Sequence, residues 1–270
     1  LSGLGSVFYL RDLDNALKDS SQLEVLQSSL ERLHARLLEG GRQLLLVSDP
    51  SSESVSRDAL RLSWPENQEL SNTFVAEVDG FDRDVAFVTN TKINFCASVY
   101  PTTVPVHPDS PVLSVLAAVL RNSYLHTQIR EKGGAYGGGA IHDVANGVFK
   151  FYSFRDPNLL DTFVAFEKSL DWVTSSSLSS EIVEEAVLGV IGTLDIPGTP
   201  AGEAKQCFHH ELFGITQESR QKFRERVMGT QVQDIRRVAQ TYFKCIGRRV
   251  VITNSEHRSD VESKFDIIEL

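Results

Sequence analysis

Tyr124-Leu-His-Thr-Gln-Ile-Arg-Glu-Lys-Gly-Gly-Ala-Tyr-Gly-Gly-Gly-Ala140 is the stretch on which the reading of this chain turns. A long helix is expected to open upstream at Ser110-Pro111, a capping serine with proline at the first helical position, and to reach about Arg130. Gly133 and Gly134 end it. A strand then begins among Gly137, Gly138 and Gly139. Successive glycines weaken a strand, and glycine there often marks close approach by another backbone or a ligand. The run precedes a strand and lacks the Lys-Ser/Thr of a phosphate loop. What remains is an arginine and a phenol, Arg130 and Tyr136, on either side of a glycine hinge and facing a bare-backbone strand. Such a surface suits an extended peptide: backbone hydrogen bonds supply affinity, and both side chains donate to carbonyl oxygens.

Outward from that segment, the spacing predicts a hairpin of residues 135–144 and 148–154, turning at Asn146-Gly147. Asp156-Pro157 is expected to cap a helix whose apolar stripe is Leu159, Phe163, Phe166, Leu170 and Val173. Upstream, residues 84–89 and 92–101 read as strands, the second alternating through Ile93, Phe95, Ala97 and Val99. Helices around 179–194, 202–213, 217–229 and 231–243 follow, then a strand at 249–253 and a short terminal helix. Strand pairs joined by short turns favour an antiparallel sheet packed on helices, an α+β sandwich.

The N-terminal part reads differently. Leu23, Leu26, Leu30, Leu33 and Leu37 place a helix over 23–38, which Gly40-Gly41 ends. Residues 42–47 (RQLLLV) suit a buried strand and 51–62 a helix, while Trp64 to Gly80 reads as a linker. Gly41-Arg42 before an apolar run echoes Gly247-Arg248 before another, and each continues into a helix with a valine at the matching place, Val55 and Val261. The expectation is three parts: 1–65, the tail of a preceding, related domain; 66–80, a linker; and 81–270, a C-terminal α+β domain.

Bulk properties exclude several classes. A net charge of −9 argues against nucleic acid, which needs a basic face. The longest apolar stretch, residues 111–120, is half of the ~20 residues that span a bilayer, so no membrane is expected. Cys96, Cys207 and Cys245 are odd in number and form no CxxC pair, which fits neither a disulfide framework nor a cysteine metal site. None of the seven histidines lies in HExxH or HxxEH: His210-Glu211 begins the first pattern, but Gly214 stands at the second histidine's place. No metal site is therefore expected within the chain. A start at Leu1 suggests a processed product or a piece of a longer protein.

The run from Leu125 to Ala140, continued by Asn146-Gly147-Val148-Phe149 and by Tyr152-Ser153-Phe154-Arg155-Asp156-Pro157-Asn158, closely resembles the presequence proteases, a branch of the pitrilysin and insulin-degrading-enzyme superfamily. The likeness is clear over about 90–175. It implies a zinc metalloendopeptidase of two clamshell halves, the N-terminal half carrying zinc and this chain belonging to the C-terminal, non-metal half. It further implies that Tyr136 polarises or stabilises the scissile carbonyl and that Arg130 holds the substrate backbone or the same oxyanion region. Gly133, Gly134, Gly137, Gly138 and Gly139 would then shape the substrate surface. The implied partners are unstructured peptides, including Arg-rich presequences, and the zinc-bearing half. The implied compartment is an organelle matrix, mitochondrial or plastid, in a eukaryote, and otherwise cytoplasm or periplasm. A non-catalytic peptide-binding or scaffold module of the same fold is the alternative.

Overall fold

Leu113, Leu116, Leu120, Phe149, Phe151 and Phe166 lie fully buried at the centre of the larger of two compact units, Leu1–Glu77 and Val78–Leu270. The computed structural model describes residues 4–39, 41–64, 83–175, 178–244 and 247–269. The expected linker over 66–80, the helix-ending Gly40 and the third cysteine, Cys245, lie outside the described residues.

In the first unit, helices α1 (Leu4–Ala16), α2 (Ser20–Glu39) and α3 (Glu53–Ser63) are joined by irregular segments. The leucine periodicity does specify α2, yet that helix buries no residue, and Leu23, Leu30, Leu33 and Leu37 are all exposed. The strand expected over 42–47 is not formed. A strand needs a hydrogen-bonding neighbour, and none of the described residues of this unit forms one; Leu44, Leu45 and Val47 stay exposed.

The second unit carries one six-stranded sheet in the order β3-β4-β2-β5-β1-β6. Its strands are β1 (Val85–Val88), β2 (Asn94–Pro101), β3 (Gly137–Asp143), β4 (Val148–Asp156), β5 (Arg248–Thr253) and β6 (Asp266–Glu269). The run β3-β4-β2-β5 is antiparallel, as the short turns require. β1 and β6 then join in parallel, with Val85 beside both Val250 and Asp266. β6 was not expected. Four residues are a faint pattern, and their partner lies about 180 positions away in sequence. Asp84 fastens this end of the sheet by accepting from the Arg249 amide at 2.8 Å and its Nε at 2.7 Å.

β2 alternates buried and half-buried residues along its length, and α5 (Leu160–Thr174) packs against it. Helix α4 (Asp109–Leu120) is buried nearly all round, because β3 and helices α6 (Ser180–Leu194), α8 (Gln217–Met228) and α9 (Val232–Tyr242) pack against it. It begins one residue before the expected serine. Ser110 is buried inside the first turn, and Asp109 instead receives Arg237 and Tyr242. The helices α6, α7 (Pro200–Leu212) and α8 open on Ser179, Thr199 and Thr216, whose hydroxyls accept amides three residues on.

Candidate functional site

The helix that carries Arg130 changes winding before it ends. From Arg121 to Lys132 the chain continues α4 as a π-helix, a form frequent at functional sites. Leu125 and Ile129 are its buried residues, while Arg130 is exposed and makes no ion pair or side-chain hydrogen bond with the described residues. The expected long helix therefore reaches its expected end, but not as a regular α-helix throughout.

Gly133 and Gly134 turn the chain sharply into β3. The Gly134 amide bonds Arg130 O at 3.0 Å, and the Ala135 amide reaches back to Ile129 O at 3.1 Å. Gly134 has φ 77°, a left-handed conformation that side chains rarely adopt. The hinge is propped from the segment after β4. Asn158 Nδ2 donates to Gly133 O at 2.6 Å, Asn94 Nδ2 donates to Asn158 O at 3.1 Å, and Thr253 Oγ1 donates to Asn94 Oδ1 at 2.6 Å. Asp156, fully buried, accepts the Asn158 amide at 2.9 Å and the Thr162 hydroxyl at 2.7 Å. A continuous polar chain thus runs from β5 through β2 to the turn between Arg130 and Tyr136. In the Asp156-Pro157-Asn158 segment, expected to cap a helix, the Asn158 side chain goes to this hinge and the Asp156 carboxylate to the Asn158 amide and the Thr162 hydroxyl of α5, while Leu159 stands at the head of that helix.

Tyr136 emerges from the hinge with 64% of its surface exposed. Its amide donates to Arg155 O at 3.2 Å, Phe154 packs on its ring at 5.6 Å between centroids, and the Arg155 guanidinium lies 5.3 Å from the ring centroid. The hydroxyl has no partner among the described residues. An exposed phenol held at the ring and unoccupied at the oxygen is placed to donate to an incoming carbonyl.

β3, with its glycines, is an end strand of the sheet, so one edge of its backbone meets no other strand among the described residues. The reason for the glycines is visible at Gly138. An added Cβ there would lie 2.9 Å from the Ile129 side chain and 2.9 Å from Tyr152 O. Phe154 occupies the corresponding space at Gly137, and Arg121 does so at Gly139. The close approach read from the glycine run is therefore made by the chain's own side chains and backbone, which lets the π-helix lie tightly on β3. The outer edge of the strand is a separate feature and remains available for backbone pairing.

The chain's histidines do not gather. His209 stacks on Phe213 at 6.5 Å, and no group of three or more His, Cys, Asp or Glu among the described residues is placed to hold a metal ion. These residues do not fit a zinc site. Two residues of the site carry no role in the sequence reading. Arg155 gives no local signal, because a left-handed arginine is not what residue statistics lead one to expect. Asn158 follows a Pro and reads as an ordinary turn residue.

The class of domain is an α+β sheet packed with helices, whose end strand carries an exposed tyrosine and arginine at its mouth. Residues 84–256 match the PreP C-terminal domain family, and the chain belongs to that family. It is 37% identical over 188 residues to the mitochondrial presequence protease of Xenopus laevis, a match covering 66% of this chain and 18% of that protein. It is 32% identical over 229 residues to the mitochondrial presequence protease of Emericella nidulans, covering 83% of this chain and 21% of that protein. The chain thus spans about a fifth of the length of these relatives. Its fold is similar to pitrilysin, with a TM-score of 0.58 at 13% identity over 83% of this chain and 25% of that one. It is also similar to the peptidase M16 inactive domain of Pseudomonas fluorescens, with a TM-score of 0.53 at 11% identity over 77% and 52% of the two chains.

Proposed function

We propose that this chain is the C-terminal, substrate-binding part of a zinc metalloendopeptidase that degrades unfolded peptides such as presequences, with the metal bound by an N-terminal half of the same protein. The observation that carries the reading is Tyr136: exposed, gripped at its ring by Phe154 and Arg155, and without a partner at its hydroxyl. A phenol aimed at the oxygen of a scissile carbonyl donates a hydrogen bond that strengthens as negative charge develops there, a contribution of about 3 kcal/mol. Arg130, across the Gly133-Gly134 hinge, donates to a substrate carbonyl and holds the backbone. The open edge of β3 pairs with the extended peptide. The net charge of −9 favours cationic chains, among them the Arg-rich presequences.

The exposed leucine stripe of α2 supports the matching proposal for the N-terminal part: residues 1–65 are the tail of a preceding domain, and 81–270 is the C-terminal one. The relatives' names, which say mitochondrial, support a mitochondrial location.

The test is turnover of an unstructured peptide by the full-length enzyme with Tyr136→Phe. The expected result is a fall in kcat of about 100-fold with little change in KM. An unchanged kcat removes Tyr136 from the chemistry and leaves the non-catalytic, peptide-binding module as the reading.

A further inference from the structure

Among the described residues, Arg155 is the one non-glycine residue with positive φ, 49°. Glycine would hold that backbone without steric cost, and asparagine would hold it more easily than arginine. The conformation accompanies a bulge. Pairing of β2 with β4 steps from Asn94↔Asp156 to Cys96↔Ser153, so that Phe154 and Arg155 together oppose Phe95. The bulge reverses which residue faces inward. Phe149, Phe151 and Ser153 are buried in alternation; a regular strand would bury residue 155 next, but Asp156 is buried and Arg155 is exposed.

The side chain so displaced has a definite destination. Its guanidinium carbon lies 5.3 Å from the centroid of the Tyr136 ring, and its carbonyl accepts the Tyr136 amide. It makes no ion pair or hydrogen bond with any described residue. Its neighbour Asp156 is turned inward to Asn158 and Thr162. A bulge that only ended the strand would be served better by glycine.

We propose that Arg155 is a positioning residue for Tyr136, delivered by the left-handed bulge to hold the phenol ring against Phe154 so that its hydroxyl meets the substrate carbonyl. This rests on the reading of Tyr136 given above.

Arg155→Gly separates the two uses of this position, since it keeps the backbone and removes the guanidinium. The expected result is an unchanged or higher melting temperature for this chain. In the full-length enzyme kcat on an unstructured peptide falls about tenfold, as loss of a cation–π contact predicts, with KM nearly constant. Arg155→Asn, which also tolerates a left-handed backbone, repeats the test should the glycine variant fold poorly. In a Tyr136→Phe background the same substitution should cost nothing further. A second readout is independent of activity. 3-Fluorotyrosine at position 136 should give a single fluorine resonance in this chain, which shifts toward the free amino acid in Arg155→Gly. If Tyr136→Phe leaves kcat intact, the catalytic reading of Tyr136 fails, and the fluorine resonance still decides whether Arg155 holds the ring. Full kcat in Arg155→Gly, or a fluorine resonance unmoved by it, overturns the proposal and leaves the bulge as a backbone device.

Discussion

At His142 on β3 both ring nitrogens meet hydroxyls, Nδ1 with Ser114 Oγ at 3.2 Å and Nε2 with Thr102 Oγ1 at 3.3 Å. Burial pushes the imidazole down to about 4 from its ordinary 6.5, against the smaller opposing pull of Asp143. The folded state therefore prefers neutral histidine, whereas the unfolded chain binds a proton below about 6.5. Stability from this group is complete above that value and is lost as pH falls from about 6.5 towards about 4. Urea unfolding at pH 7 and pH 5 should show a loss about 1–2 kcal/mol larger in the parent than in His142→Gln. Equal losses in the two proteins would mean that the histidine already titrates normally in the fold. Arg155 belongs to the same scale. Its side chain in a left-handed conformation costs about 1–2 kcal/mol, a strain of the size that accumulates at working sites.

At the scale of elements, α4 and α9 are tied where Arg237 straddles the Asp109 carboxylate at 3.0 and 2.5 Å and the Tyr242 hydroxyl donates to it at 3.0 Å. The Arg237 hydrogen bonds hold the Asp109 carboxyl below the usual carboxylate range despite burial. Asp109 also lies in the first turn of α4, where a negative charge favours the helix dipole. Replacing it with Asn should cost about 1–2 kcal/mol in chemical denaturation, limited because half-exposed Arg237 regains water. A loss below about 0.5 kcal/mol would assign the link no weight in stability. The elements differ in how legible they were. The apolar stripe of Leu159, Phe163, Phe166, Leu170 and Val173 announced α5, though not its cap, and the Asn146-Gly147 turn announced the β3–β4 hairpin, because those signals are local; α6 to α9 form close to the ranges expected for them. The strand over 42–47, the short β6 and the π-winding of 121–132 depend on what lies beside them, and no window of sequence contains that neighbour. For the site, the glycine hinge itself pointed to Arg130 and Tyr136 as peptide-binding groups, and the resemblance of the run from Leu125 to Asn158 supplied their roles in the chemistry. Asn158 and Arg155 became visible only when the hinge and the bulge set them against Gly133 and Tyr136.

For the molecule as a whole, the two units differ in what they bury. Val78–Leu270 has a continuous core from the sheet to α9, while α2 and α3 bury nothing. A 20-residue helix with an uncovered leucine stripe is marginal in water, because helical stability in proteins comes mostly from packing of the apolar face. If residues 1–65 are the tail of a preceding domain, as proposed, amide exchange along α2 should be fast in this chain and slow in the full-length protein. Protection that is the same in both would show that α2 needs no such cover. The end strand has a further consequence at this scale. An open strand edge can accept any extended chain, so two copies meeting β3 to β3 would continue each other's sheets into a dimer. Gly137, Gly138 and Gly139 make the tip of that edge a poor template for lasting pairing.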